Sequence, residues 1–115
     1  MYEIQFKALG EPTRLKIIKL LSSKDLCVCE LDEIMQMSQP RISQHLKVLK
    51  QSGLVKERKD GQRRVCSLDT ALLNNTMEEF INYIAKPLNE IPELSEEYDR
   101  LLTLDGESCS RRSNQ

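Results

Sequence analysis

The sequence predicts a mainly α-helical fold with one small β-hairpin, arranged as a winged helix–turn–helix. Three observations predict it. Two helical patterns meet at a tight turn over residues 36–39, with Ser38 and Pro40 as helix-start signals. Asp60-Gly61 then separates two strand-like runs, a strong short-range hairpin signal. Positive charge is concentrated on the second of those helices and on the hairpin. The chain has 115 residues, enough for one domain with a real core. It is too short for an eight-fold barrel or a complete dinucleotide-binding fold.

The elements follow in order. Residues 2–9 suit a short first helix, ended near Gly10 and Pro12. Pro12 fits the first turn of a second helix over residues 13–21, which Ser22, Ser23 and Asp25 should break. Its apolar residues Leu15, Ile17, Ile18, Leu20 and Leu21 cover a wide face, so the helix is expected to be mostly buried. Residues 26–29 are too short for periodicity to choose between a strand and the start of a helix. Residues 30–35 read as a short helix. The helix after Pro40 runs to about Gln51, with Ile42, Leu46 and Leu49 as its buried stripe and Gly53 as its stop. Residues 54–58 and 63–68 are the hairpin strands. Residues 70–85 return to helical spacing, and Leu73, Met77, Phe80, Ile81 and Ile84 make one apolar stripe. After Pro87 and Pro92, residues 93–104 suit a last helix. The domain is expected over residues 1–104, followed by a flexible tail over 105–115.

Net charge is −1, which taken whole argues against nucleic acid. Divided by segment it argues the other way: residues 36–68 carry +6 and the remainder −7. Such asymmetry suggests a polyanion surface on part of the molecule. The N-terminus has no basic region leading into an apolar core, and no apolar run approaches membrane length. The expected location is cytoplasmic, with no membrane partner. Four cysteines in a reducing compartment suggest metal binding or redox chemistry, or small buried side chains, rather than disulfides. The single histidine has no nucleophile partner legible in the sequence, so no enzyme is expected.

The stretches FKALGEPTRLKIIKLL, LCVCELDEIM and SQPRISQHLKVLKQSGLVKERKDGQRRVCSL resemble the ArsR family of metal- and metalloid-responsive winged-helix repressors over roughly residues 5–85. LCVCEL is similar to the signature of its thiolate-sensing branch. The resemblance implies a homodimer, formed through the terminal helices, that binds double-stranded operator DNA and leaves it when an ion binds. A two-fold dimer in turn implies an inverted-repeat operator.

A recognition helix places its N-terminal residues near base edges in the major groove. Gln39, Arg41, Ser43 and Gln44 are the base-reading candidates, since Arg matches guanine and Gln matches adenine in bidentate geometry. Ser38 joins them at the helix start. His45 and Lys47 are expected at phosphate or in the groove. Lys59, Gln62, Arg63 and Arg64 of the wing should meet phosphate or the adjacent minor groove, giving affinity and register.

Cys27-Val28-Cys29 is the candidate sensor. Soft thiolates select soft ions: arsenite or antimonite first, with cadmium, lead, zinc or cuprous copper as alternatives. On a regular helix residues i and i+2 point about 200° apart, so both sulfurs are expected to reach one ion only if the first turn unwinds. The helix N-terminus should favour a thiolate at Cys29, with Glu30 and Asp32 opposing. The best-known arsenic pattern has a third cysteine where this chain has Asp32. Cys109, on the tail, is preferred as the third ligand. Cys66 is the alternative, because the fold pairs its strand with the segment around Leu26. Oxidation of the cysteine pair is the runner-up signal. A thiol oxidoreductase lacks its C-x-x-C motif here, and the basic wing speaks against a purely protein-binding module.

Overall fold

The computed structural model describes residues 2–104. Six α-helices and a three-stranded antiparallel sheet follow in the order α1 (Glu3–Leu9), α2 (Pro12–Ser23), β1 (Leu26–Cys27), α3 (Val28–Met35), α4 (Gln39–Gln51), β2 (Val55–Asp60), β3 (Arg63–Leu68), α5 (Thr70–Ala85) and α6 (Ser95–Leu102). This is the predicted winged helix–turn–helix. The described residues divide into two compact units, 2–80 and 81–104, and α5 contributes residues to both.

In the first unit, Ile17, Ile18 and Leu21 of α2 and Leu31 of α3 meet the stripe Ile42, Leu46 and Leu49 of α4, as the i, i+4, i+7 spacing requires. Leu54, Val55 and Cys66 close the core from the sheet side. Leu15 departs from the expected buried face of α2 and is 54% exposed. It lines an apolar groove with Ile18, Leu68 and Leu73. Helix α2 also runs two residues past the expected break, because Ser22 Oγ donates to the carbonyl of Lys19 within the last turn.

Buried polar bonds lock the helices together. Gln5 Nε2 donates to the Ser52 carbonyl at 2.9 Å, tying α1 to the end of α4. Arg14 Nε donates to the Ala8 carbonyl at 2.7 Å, tying α2 to α1. Tyr2, Phe6 and Phe80 stack edge-on, with centroids 4.9–6.0 Å apart, and hold α1 to α5. Thr76 of α5, a residue outside the predicted apolar stripe, is buried.

The ambiguous residues 26–29 prove to be strand and helix together. Leu26 and Cys27 pair with Cys66 and Val65 of β3, and α3 starts at Val28, two residues before its expected start. The hairpin connection is Gly61-Gln62, two residues shorter than the expected Lys59–Gln62, because β2 continues through Lys59 and Asp60, which pair with Arg64 and Arg63. Gly61 has φ +65°, the sign a type II′ turn requires at its first central residue. In the second unit, Pro87 and Pro92 each precede or open a single 3-10 turn, so the last helix begins at Ser95 rather than near residue 93.

Two glycines carry positive φ for different reasons. A Cβ on Gly61 would meet nothing within 4 Å, whereas on Gly53 (φ +83°) it would approach Leu72 Cδ2 to 2.9 Å. Gly61→Ala should therefore cost about 1 kcal/mol, from backbone strain alone, and Gly53→Ala more than that by what Leu72 must give. Urea midpoints of the two variants check this, and equal costs would show that Leu72 yields freely.

Candidate nucleic-acid interface and thiol pair

Helix α3 begins on a cysteine. Cys27 ends β1 with extended backbone (φ −80°, ψ 160°) and is the N-cap of α3. Its sulfur faces the backbone N–H of Glu30, and the Glu30 carboxylate accepts the Cys27 N–H at 2.9 Å. This is a capping box with a thiol in place of a hydroxyl. An N-cap side chain swings over the helix end instead of radiating from a regular turn. The sulfurs of Cys27 and Cys29 consequently lie 2.7 Å apart without unwinding of α3, contrary to the expectation from helical spacing.

Protonation is the reverse of the expectation as well. Burial opposes ionisation of Cys27, but the Cys29 thiol, the Arg63 guanidinium and the Glu30 N–H outweigh it and hold Cys27 below the usual thiol range. The contact with the Cys27 sulfur pushes the Cys29 thiol upward, and burial adds to it. Cys27 is nearly inaccessible while Cys29 is exposed, so the member of the pair that ionises more easily is buried and the other faces solvent.

Cys66 does not join them. Leu26 pairs with Cys66 and Cys27 with Val65, so Cys66 and Cys27 face opposite sides of the sheet. Cys66 is fully buried in the core, and that burial raises its thiol. Cys109 lies outside the described residues. Asp32 is half-buried, and its Oδ1 has no hydrogen-bond partner among the described residues. Those residues contain no group of three metal-ligating side chains. The pair thus fits a two-sulfur site, and any third donor comes from elsewhere.

On α4, Gln39, Arg41, Ser43, Gln44 and Lys47 are exposed on the faces away from the Ile42, Leu46, Leu49 stripe. Ser38 holds the N-cap position but makes no side-chain bond to the helix. His45 turns toward α2, with Nδ1 3.4 Å from Arg14 Nη1 and 3.7 Å from Glu11 Oε2. Arg14 also extends to α1, so the histidine belongs to a polar seam across three helices. Lys59, Gln62, Arg63 and Arg64 are exposed on the hairpin.

The eight cations of the basic stretch are not equally available. Lys50 and Arg64 share Glu57, Lys56 pairs with Asp69, Arg58 with Asp25 and Arg63 with Glu30. Arg41, Lys47 and Lys59 have no ion-pair partner among the described residues. Sequence reasoning missed two residues of this region, Glu30 and Glu57. The signal for Glu30 was present as Cys-x-x-Glu, a capping box with sulfur as the cap. Glu57 is the acid opposite Cys66 in the hairpin register, which a correct placement of the turn would have shown.

A helix–turn–helix whose second helix presents an exposed polar face, flanked by a basic two-stranded wing, defines a winged-helix DNA-binding protein. Comparison with known proteins then gives its family. Residues 11–57 match the model of the bacterial regulatory proteins of the arsR family. The chain is 36% identical over 86 residues to the transcriptional repressor SdpR of Bacillus subtilis, covering 75% of this chain and 96% of that one. It is 40% identical over 85 residues to the arsenical resistance operon repressor of Staphylococcus xylosus, covering 74% of each. A solved structure described as a possible transcriptional regulator for arsenical resistance superposes with TM-score 0.62 at 37% identity, over 85% of this chain and 92% of that one. The chain belongs to the ArsR family of transcriptional repressors, and the family is one of DNA-binding regulators, not enzymes. Among the described residues no helix is long and apolar enough to cross a membrane.

The ionisation order of the pair is measurable by the ultraviolet absorbance of thiolates against pH. The first thiolate should form below the ordinary thiol range, vanish in Cys27→Ser and move up in Arg63→Gln. Its survival in Cys27→Ser and disappearance in Cys29→Ser would reverse the assignment.

Proposed function

We propose that the chain acts as a cytoplasmic homodimer on an inverted-repeat operator and releases it when Cys27 and Cys29 take up a soft ion, arsenite or antimonite first. The convergence of the two sulfurs at the start of α3 carries this reading. Two converging thiols, the buried one held below the usual thiol range and the other exposed, offer a soft ion two ligands. Arsenite, As(OH)₃, would lose two waters to the two thiols; a third thiol, proposed as Cys109, would remove the last hydroxyl as a further water. Cadmium, lead and zinc are the alternative ions, each releasing a proton for every thiol it binds. Ligands at about 2.3 Å in a tetrahedral site stand about 3.7 Å from one another. For a tetrahedral ion that separation exceeds the 2.7 Å of the ion-free pair, and occupation would disturb the first turn of α3, the helix packed beneath α4.

On the DNA side, Arg41 and Gln44 are proposed to read base edges, with Ser38, Gln39 and Ser43 beside them at the helix start. Lys47 and Lys59, whose charges are uncompensated, are proposed at phosphates, with Gln62, Arg63 and Arg64 completing the wing contact. His45, seated against Glu11 and Arg14, would orient the helix from behind. Exposed apolar side chains support the dimer: Ile4 and Phe80 in the first unit, and Ile81, Ile84, Leu101 and Leu102 in the second.

The decisive measurement is operator affinity with and without arsenite, cadmium, zinc or peroxide, under otherwise reducing conditions for the ions. Arsenite should weaken binding by about 5–150-fold, the ordinary range of allosteric coupling. Cys27→Ser and Cys29→Ser should abolish the effect, and Cys109→Ser should reduce it. Release by peroxide alone, with the pair joined as a disulfide and peroxide reduced to two waters, would replace the ion with oxidation as the signal. Normal arsenite release in Cys29→Ser would refute the sensor. Separately, Lys47→Ala and Lys59→Ala should each lower the slope of log affinity against log salt by about 1. Unchanged slopes would remove these lysines from the interface.

A further inference from the structure

We propose that Glu30 and Arg63 link the cysteine pair to the wing, giving the sensor a second route to DNA besides the packing of α3 beneath the recognition helix. This inference rests on the soft-ion reading above. Three observations support it. The first is register. Cys27 stands opposite Val65, and Arg63 lies two residues further toward the hairpin tip on the same sheet face. Such diagonal neighbours are about 7–8 Å apart, within reach of an arginine.

The second is a shared oxygen. Glu30 Oε1 accepts from Arg63 Nη2 at 3.0 Å and from the Cys27 amide at 2.9 Å. One carboxylate oxygen therefore joins a wing guanidinium to the backbone of a sensing residue. The third is the contrast with the other wing cations. Arg64 binds Glu57 inside the hairpin, and Arg58 binds Asp25, which precedes β1. Arg63 binds a side chain of α3 itself.

In the ion-free protein this bridge anchors the base of the hairpin tip on the first turn of α3. Parting of the sulfurs shifts the Cys27 amide and the Glu30 carboxylate relative to each other, and the anchor is lost. Lys59 and Gln62, at the tip of the hairpin, then lose the orientation that operator contact needs. Glu30→Gln isolates the link, because glutamine still accepts the Cys27 amide in a capping box but brings no charge to Arg63.

The test uses the full chain in four forms: wild type, Glu30→Gln, Arg63→Gln and the double variant. Operator affinity is measured with and without cadmium and with and without arsenite. Cadmium binding to the DNA-free proteins is read from the thiolate-to-cadmium absorbance. Each single variant should still bind cadmium, with Arg63→Gln weakened as its thiolate moves up, bind operator more weakly without ion, and lose a smaller factor than wild type on adding it, because the route through α3 remains. The double variant should lose no less than either single one, because both changes break one bridge. Wild-type release with undiminished release in both single variants overturns the link alone. Loss of cadmium binding in Glu30→Gln makes Glu30 part of the ion site and also overturns it. A wild type that keeps its operator with both ions overturns the soft-ion reading, and the link with it.

Discussion

The pairing of a two-residue strand with the wing is the constraint on which the rest depends. Leu26 and Cys27 are held by β3, and the chain turns into α3 at the next residue. That abrupt change from strand to helix makes Cys27 an N-cap, and the N-cap geometry in turn brings its sulfur to Cys29. A longer loop before α3 would leave the first turn free to place the thiols on opposite sides, as regular helical spacing dictates. Leu26 faces the core on one side of β3, while Cys27 faces Val65 and Arg63 on the other. One strand residue thus fixes the sheet to the core and the next presents chemistry.

The basic stretch shows how the same charges can serve stability and recognition. Glu57 is held below the usual carboxylate range, first by its hydrogen bond from Arg64 and then by Lys50, against the opposing effect of burial. Through Glu57 the last turn of α4 and both wing strands share one acid. Partly exposed ion pairs of this kind contribute only about 0–1 kcal/mol each, so a phosphate can replace the carboxylate at little cost. Arg41, Lys47 and Lys59, unpaired among the described residues, have no such partner to give up. The +6 of the sequence is thus a mixture of charge already engaged and charge still open.

Most of the helical framework was legible because it obeys simple periodicity. Ile42, Leu46 and Leu49 are buried where their spacing places them, and Gly53 stops α4 with positive φ. Residues 70–85 form the helix their pattern describes. The misplacements cluster where local chemistry competes with period. Leu15 follows the helical apolar pattern yet is exposed, because the apolar face of α2 is wider than the core it meets. The start of α3 was placed two residues late because cysteine is not a familiar cap, although sulfur occupies the oxygen's place in Cys-x-x-Glu. The first wing strand runs two residues beyond residue 58, because Asp-Gly marks the bend without fixing which residues are central, and Gly61 takes the first central position.

The site was less legible than the fold for a physical reason. Proximity of Cys27 and Cys29 in sequence says little about their sulfurs until the backbone at Cys27 is known to be extended. Arg63 was counted as one wing cation among several, and Glu30 as a nearby opposing charge; neither reading contains their contact. That contact is set by the antiparallel register of β1 with β3, a pairing between residues far apart in the chain. Once the register is known, Arg63 is a diagonal neighbour of Cys27 and Glu30 is the acid between them. Glu30 binds the Cys27 amide and the Arg63 guanidinium, and its carboxylate still works against ionisation of the Cys27 thiol. Environment rather than sequence neighbourhood thus sets the order of the two thiols, lowering Cys27 and raising Cys29.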